Sequence, residues 1–400
     1  MPPTDSAAIF SFYMPAVGRV FENYYFYSRG CYNLFLAGIH TFRKRPRVTG
    51  PSLRQLRTGR TQEGRLVNIR EIARRARVSH STVSRVINRI ETVDPRLVRR
   101  VQAVIHEVGY RPNFQARALA RGRSHTVGLI VSELSGGNPY FSEIILHFER
   151  AAVENGYEVL ISFADTETTP DHVAVCASRM QERQVEGVAV LTFGMEEQLV
   201  KTSIDVPVVY AGADHDLDKV RNVRLNYLPG FRDAVRHLRD FGHERIGYLS
   251  GQLSWSSMRN RYESLRKAMK LAGGALDKDL VSECDHTWEG GAQGMATLLN
   301  LPKPPTAVMC CNDVAAVGAL KTLAARGLQA GRDISLIGFD DLTLCRFMQP
   351  ALTTIQFSPR EIAGLAFRAL LEEIQQSDPK TSFEYKTRFV LRESTCAPRA

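Results

Sequence analysis

Polar residues between Ser79 and Asn88 are spaced for contact with nucleic acid. In a helix, His80, Ser81, Ser84, Arg85 and Asn88 fall on an outer face, while Val83, Val86 and Ile87 turn inward with the 3.6-residue period. Arg85 can fork onto guanine, and His80 and Ser81 can donate or accept at base edges. Ser79, Thr82, Ser84 and Asn88 suit phosphate oxygens, contacts that fix position without reading sequence. The plainer alternative for His80 and Ser81 is a solvated face, or phosphate contact alone.

A second set of groups sits where strand-like runs end: Tyr140 and Phe141, Asp165, Trp255 and Arg261, Asn312, and Asp340. A sugar presents paired hydroxyls and apolar ring faces. It needs bidentate partners such as Arg, Asp and Asn, together with an aromatic platform. This set supplies both. Simpler readings stand beside it. Arg261 could pair with Glu263 on a surface, Asn312 could only cap a helix, and Asp340-Asp341 could be a strand-end turn. Enzymatic chemistry finds no support: G-x-S-x-G, a phosphate-binding G-x-x-x-x-G-K-[ST], H-E-x-x-H and clustered Cys/His spacing are all missing. No cofactor or metal is expected.

Three helices must position the first set. Asn68 can cap a helix carrying Ile69, Ile72, Ala73 and Ala76 on one face. Arg77-Val78 makes a short turn, and Ser79 can cap the next helix. Asp94-Pro95 opens a third, which runs through Leu97, Val98, Val101, Val104, Ile105 and Val108 to Gly109. Helix, tight turn and helix with an exposed polar face is a helix-turn-helix. The second set requires parallel sheets. Strand-like runs (Thr126–Val131, Glu158–Phe163, Val188–Leu191, Val206–Tyr210, Ile246–Leu249, Ala307–Cys311, Ile334–Phe339) alternate with amphipathic helices such as Tyr140–Asn155, Pro229–Phe241, Arg261–Ala272 and Val314–Arg326. The alternation restarts after about residue 227, predicting two similar subdomains with a ligand cleft between them.

Charge supports this division. The chain has 400 residues and a net charge of +10, but basic side chains outnumber acidic ones 10 to 3 in residues 1–65 and 13 to 4 in 66–124. The remainder is mildly acidic, the footprint of a nucleic-acid-binding head on a separate body. No run of about 18 apolar residues exists, so no membrane helix is expected. The 7 cysteines are odd in number and lack a C-x-x-C pair, which argues for reduced thiols in a cytoplasm. Residues 1–65 are aromatic-rich and then basic, in the wrong order for a signal peptide. They are expected to lie outside the native fold, with translation starting near Val67; a basic DNA-contacting arm is the alternative.

The run Val67–Asn88, VNIREIARRARVSHSTVSRVIN, resembles the head of the lactose/galactose repressor family of bacterial transcription regulators. Gly109-Tyr110-Arg111-Pro112-Asn113, followed by Ala116, Leu119 and Ala120, is similar to that family's hinge helix, and the similarity continues to about residue 393. The resemblance implies an all-α helix-turn-helix head with hinge helix, followed by an α/β periplasmic-binding-protein-like body of two doubly wound parallel-sheet subdomains. The implied boundaries are 66–111 for the head, 112–124 for the hinge helix and linker, and 125–400 for the body, split near 227 with chain crossings near 355 and 385. It assigns base choice to His80, Ser81 and Arg85, and places Asn113, Ala116 and Leu119 at the DNA, Leu119 wedging into the minor groove. Arg261, Asn312 and Asp340 match effector-contacting positions, and Tyr140, Phe141 and Trp255 match pocket-lining ones. His286 falls near the family's stacking aromatic, with Trp288 two residues on. Gly212 stands where several relatives carry an acidic residue.

The implied mechanism is a homodimeric repressor on double-stranded, pseudo-palindromic DNA, controlled by a small sugar-like effector. The dimer interface would include the helix Tyr140–Asn155. The family's tetramerising heptad tail is absent. A secreted sugar-binding transporter component, a sugar-metabolising enzyme with a DNA head, and an activator are the alternatives.

Overall fold

The computed structural model describes residues 68–87, 92–110, 123–132, 138–164, 172–191, 204–213, 217, 220–376 and 383–399. The extension 1–65, most of 112–124, and the expected site residues Asn88, Asn113, Ala116, Leu119 and Asp165 lie outside the described residues. The chain forms two compact units that divide between Arg111 and Pro112.

In the head, α1 (Ile69–Ala76), α2 (His80–Ile87) and α3 (Pro95–Glu107) follow one another closely. The Asn68 side chain accepts from the Glu71 N–H at 3.0 Å and satisfies one of the orphan donors of α1. Arg77 ends that helix in the left-handed region, with φ 48°. Ser79 Oγ then accepts from the Thr82 N–H at 3.1 Å and starts α2. Asp94 caps α3 by accepting from the Arg96 N–H at 2.6 Å, with Pro95 in the first turn. Ile72, Ala76, Val83, Val86, Val101 and Val104 close a small core. Each large member contributes about 1.5–3 kcal/mol by leaving water.

The body holds two six-stranded sheets. The first contains β1 (Thr126–Ser132), β2 (Glu158–Ala164), β3 (Val188–Leu191), β4 (Val208–Ala211), β5 (Arg221–Asn226) and β11 (Phe383–Lys386), in the order β11-β5-β4-β3-β1-β2 and parallel throughout. The second contains β6 (Ile246–Ser250), β7 (Val281–Glu283), β8 (Ala307–Cys310), β9 (Ser335–Asp340), β10 (Thr353–Gln356) and β12 (Arg388–Val390), in the order β12-β10-β9-β8-β6-β7. Only its β10–β12 pair is antiparallel. The helices are α4 (Pro139–Glu154), α5 (His172–Glu182), α6 (Leu228–Asp240), α7 (Ser256–Leu271), α8 (Trp288–Leu299), α9 (Asp313–Ala325) and α10 (Pro359–Ile374).

The chain passes between the sheets three times: at Tyr227 after β5, at Phe357 after β10, and at Thr387 between β11 and β12. Thr387 ties the last crossing to the first. Its hydroxyl donates to the Tyr227 carbonyl at 2.9 Å and accepts from the Gly230 N–H at 3.1 Å.

Three differences from the sequence reading have local causes. The last strand region is two strands of two sheets, β11 ending at Lys386 and β12 starting at Arg388, parted at Thr387. Helix α7 begins at Ser256 rather than at Arg261, so Arg261 lies one turn inside it. Helix α8 carries three glycines and reads as a loop by propensity. Two close approaches explain why small residues are needed. A Cβ on Gly291 of α8 would collide with the Ala315 carbonyl of α9, and one on Gly318 of α9 with the Trp288 carbonyl of α8.

Candidate functional site

The head presents one polar surface. His80, Ser81 and Arg85 of α2 are exposed, Thr82 and Ser84 are half-buried, and Val83 and Val86 face the core. Ser79 Oγ lies 2.7 Å from Ser81 Oγ and 2.8 Å from Thr82 Oγ1, so three hydroxyls cluster at the N-terminus of α2. A helix N-terminus with clustered donors favours anions. One turn on, the Arg85 guanidinium stands in water with no ion pair among the described residues. Beside this surface, Glu71 of α1 is held by Arg74 at 2.7 Å and Arg75 at 2.8 Å, and these hydrogen bonds lower its pKa to about 2.

The body has a small cavity of about 30 Å³, lined on the first-sheet side by Asn138, Tyr140 and Phe141. The second-sheet side contributes Trp255, Ser257, Met258, Arg261, His286, Asn312 and Asp340. These residues come from the N-terminal ends of α4, α7 and α9 and from the end of β9. They thus meet beyond the carboxyl ends of parallel strands, as the ligand sites of such sheets do.

Arg261 is only 4% exposed, which rules out the surface pairing with Glu263; that carboxylate pairs with Arg266 instead. Its Nη1 donates to the Cys311 carbonyl at 2.5 Å, and its Nη2 lies 3.7 Å from Asp340 Oδ1. Its guanidinium lies 4.0 Å from the ring centre of Phe339, 5.3 Å from Phe357 and 5.6 Å from Tyr227. Burial is the largest single influence and works against the charge, but Asp340, Tyr227, Tyr248 and Cys311 together more than offset it, so the guanidinium pKa lies above its ordinary value. Asp340 is 2% exposed, and burial pushes its carboxyl well above the ordinary range, against the opposing pull of Arg261. The gap of 3.7 Å is wider than a hydrogen bond. A pair held apart in a dry cavity is suited to a ligand that accepts from the guanidinium and donates to the carboxylate.

The backbone at this point is strained. Asp340 has φ 118° and Asp341 φ 60°, regions that cost about 1–3 kcal/mol each for residues with a side chain. The strand-end turn is therefore real, and its aspartate also faces the cavity.

Asn312 caps a helix, as one of its two readings expects, and its other amide arm is taken up within the protein. Its Oδ1 caps α9 by accepting from the Ala315 N–H at 2.7 Å, and its Nδ2 donates to the His286 carbonyl at 3.0 Å. The amide thus fixes the loop that carries His286, whose ring packs 4.9 Å from Trp255. Tyr140 stacks on Phe357 at 5.5 Å, its planes 8° from parallel, and meets Phe141 edge-on at 5.6 Å. Burial raises the Tyr140 hydroxyl well above its usual pKa, with the Asp340 carboxylate adding to the effect.

One expected residue is corrected. Trp288 does not line the cavity; it opens α8 and packs against the body core. Two lining residues were not expected, Ser257 and Met258. Ser257 and Met258 follow from the earlier start of α7, which sets them one turn ahead of Arg261 on the same face. Ser257 Oγ and Arg261 Nε are buried without a hydrogen-bond partner among the described residues. Such groups cost about 1–3 kcal/mol each until a partner arrives. Gly212 has no room for a side chain, since a Cβ there would meet the Tyr210 ring at 2.5–2.9 Å.

Comparison with known proteins fits this division. Residues 68–113 match the model of bacterial regulatory proteins of the lacI family, and residues 235–395 match a periplasmic binding protein-like domain. The ribose operon repressor of Escherichia coli K12 is 33% identical over 317 residues, covering 78% of this chain and 94% of the relative. The HTH-type transcriptional repressor PurR of Mannheimia succiniciproducens is 31% identical over 338 residues, covering 82% and 98%. Among solved structures, the Lac repressor dimer bound to operator and the anti-inducer ONPF superposes with a TM-score of 0.75 at 26% identity, covering 83% of this chain and 99% of that one. A helix-turn-helix head, two mostly parallel α/β sheets and similarity over about four-fifths of the chain agree: the chain belongs to the lacI family of bacterial regulatory proteins.

Proposed function

We propose that this chain is a sequence-specific transcriptional repressor, acting in the cytoplasm as a homodimer on double-stranded, pseudo-palindromic operator DNA. A small sugar or sugar derivative in the body cavity sets its operator affinity. In this reading His80, Ser81 and Arg85 choose bases, while Ser79, Thr82 and Ser84 hold phosphates. Asn88, Asn113, Ala116 and Leu119 extend the DNA contact by family resemblance. Arg261 and Asp340 bind ligand hydroxyls; Tyr140, Phe141, Trp255 and His286 supply apolar faces; Asn312 holds the His286 loop; Asp165 completes the rim by resemblance.

One observation carries the reading: the buried Arg261–Asp340 pair, 3.7 Å apart, faces a cavity in a chain that also bears an exposed polar α2 face. The ligand matters only through unequal affinity for the DNA-competent and DNA-incompetent states. The relatives' names, ribose operon repressor and PurR, span more than one effector chemistry. The test is a thermal-shift screen of the full chain against pentoses, hexoses, sugar acids, sugar phosphates and purines. A ligand of Kd far below its concentration raises Tm by mass action. A hit that is lost in Arg261→Lys, with altered retention on a selected operator, supports the proposal. No shift from any sugar overturns the sugar assignment, and a purine shift replaces it.

A further inference from the structure

Asp341 stands outside the cavity, yet it is more completely held than Asp340. Its side chain is 3% exposed. Arg392 Nη2 donates to its Oδ1 at 2.5 Å, and Gln356 Nε2 donates to its Oδ2 at 2.9 Å. Gln356 stands at the edge of a chain crossing, whereas Arg392 belongs to the segment that follows β12. Gln356 is the last residue of β10, immediately before the second crossing. Arg392 follows β12, just beyond the third, and binds back to β10: its Nη1 donates to the Leu352 carbonyl at 2.7 Å and its N–H to Thr353 Oγ1 at 3.0 Å. One backbone bond joins the same places, from the Phe357 N–H to the Asp340 carbonyl at 3.2 Å.

We propose that Asp341 is the positioning residue that couples the cavity to the crossings between the subdomains. This rests on the reading of the cavity as the effector site. The strained dihedrals at Asp340 and Asp341 persist only where the surroundings over-determine them, and the bidentate grip of Arg392 and Gln356 does so. A ligand that draws Asp340 toward itself moves the Asp340–Asp341 unit. That movement is delivered through Asp341 to Gln356, where the chain passes from one sheet to the other, and to Arg392. Thr387 ties the third crossing to the first through the Tyr227 carbonyl, and the Ser358 N–H just after the second crossing donates to Tyr385 Oη of β11 at 2.9 Å, so the three crossings are linked by hydrogen bonds. A purely structural Asp341 would stabilise the fold without transmitting anything from Asp340.

The test uses the full chain and two kinds of variant. Asp341→Asn keeps the shape and tolerates positive φ, but loses the charge that binds Arg392. Asp340→Asn perturbs the cavity side. Without ligand, Asp340→Asn is expected to change amide exchange at Phe357 and Arg392 by tenfold or more, with β6 unchanged. In the Asp341→Asn background the same substitution is expected to change exchange at those amides less than twofold. Equal effects in the two backgrounds overturn the coupling. A second arm adds D-ribose. If wild-type chain binds it, Asp341→Asn is expected to keep binding within threefold while losing the ligand-induced change in operator retention; an undiminished response overturns the proposal. If wild type binds no neutral sugar, the effector reading fails in its sugar form, and the ligand-free arm still decides the coupling. Arg392→Lys, which keeps a charge but not the two-armed grip, is expected to restore part of the coupling relative to Arg392→Met.

Discussion

The α2 face and the body cavity bring related chemistry, a guanidinium among hydroxyls and an imidazole, to opposite solvent conditions. Arg85 stands exposed, while Arg261 is 4% exposed and lies between aromatic rings and a carboxylate. The difference teaches what each partner must supply. On α2 the side chains stay hydrated, and a ligand with many phosphates and base edges completes their contacts. In the cavity the protein itself sets the charges, holding Arg261 and Asp340 buried and 3.7 Å apart. Stability should therefore depend strongly on the cavity arginine and scarcely on the α2 arginine.

The largest expected effect is at Arg261. Replacement by Ala leaves the Asp340 carboxylate buried without its counter-charge and removes the stacking on Phe339. Loss of one partner of a buried pair typically costs about 3–5 kcal/mol. Urea unfolding of the body should show a drop of that size, while Arg85→Ala should stay within about 0.5 kcal/mol of wild type. Comparable losses at the two positions would erase the contrast between them.

The second effect runs the other way. Arg85→Ala should lower base discrimination by about 1–3 kcal/mol at one operator position. Selection from a random duplex library would measure it. Unchanged sequence preference would remove Arg85 from base readout and leave it a phosphate contact, which weakens all sequences alike.

The two regions were not equally legible in the sequence. The head could be read almost residue by residue, because its signals are local. Asn68, Ser79 and Asp94 are capping residues, Pro95 is a first-turn proline, and the valines repeat with helical period. The body's sheets were legible as a class because β1, β3, β6, β8 and β9 are continuous apolar runs. Strand β5, Arg221–Asn226, alternates charged and apolar residues, and β7 has only three residues; neither gives such a signal. Helix α8 was hidden by glycines whose cause is tertiary, the close approach of α9. In the cavity the residue types at strand ends were visible, whereas their pairing was not. That Arg261 meets Asp340 across 79 positions of sequence, and that Trp288 turns to the core instead, are decided by packing alone.

A third effect sharpens the contrast through pH. Asp313, fully buried beneath the Asp340–Asp341 turn, accepts from the Leu342 N–H at 2.8 Å, from Thr354 Oγ1 at 2.7 Å and from the Cys345 thiol at 3.0 Å. Burial outweighs these donors and pushes its carboxyl up to about 6. The fold thus favours the neutral acid. Its stabilising contribution is complete below the unfolded pKa of about 4 and is lost as pH rises through about 6. Between those values Asp313 should make stability fall with rising pH, by at most about 1.4 kcal/mol per unit. Asp313→Asn should lack that component in unfolding curves taken at several pH values. Parallel curves for the two proteins would show that the site is not dry. In the head, Glu71 is exposed and its pKa is lowered by hydrogen bonds from Arg74 and Arg75, so its titration has the opposite sign.

The smallest effect separates folding from recognition within the head itself. Ser79 caps α2 and is also one of the proposed phosphate contacts. Ser79→Ala removes the cap and should cost about 1 kcal/mol of stability, whereas Ser79→Gly should cost only a few tenths. Both variants delete the hydroxyl. If Ser79 touches phosphate, both should weaken binding to every duplex by a similar factor while leaving its salt dependence unchanged, since a neutral hydroxyl displaces no counterion. If Ser79 serves folding alone, the glycine variant should bind as wild type does once it is folded, and only the alanine variant should lose apparent affinity, in step with its lost stability. Titration of both variants with a selected and a scrambled duplex at two salt concentrations distinguishes the outcomes. The comparison matters because an exposed recognition surface has little freedom to spare. The hydroxyls that start α2 are the same ones proposed to meet phosphate, so this pair of variants separates the folding signal from the proposed functional one.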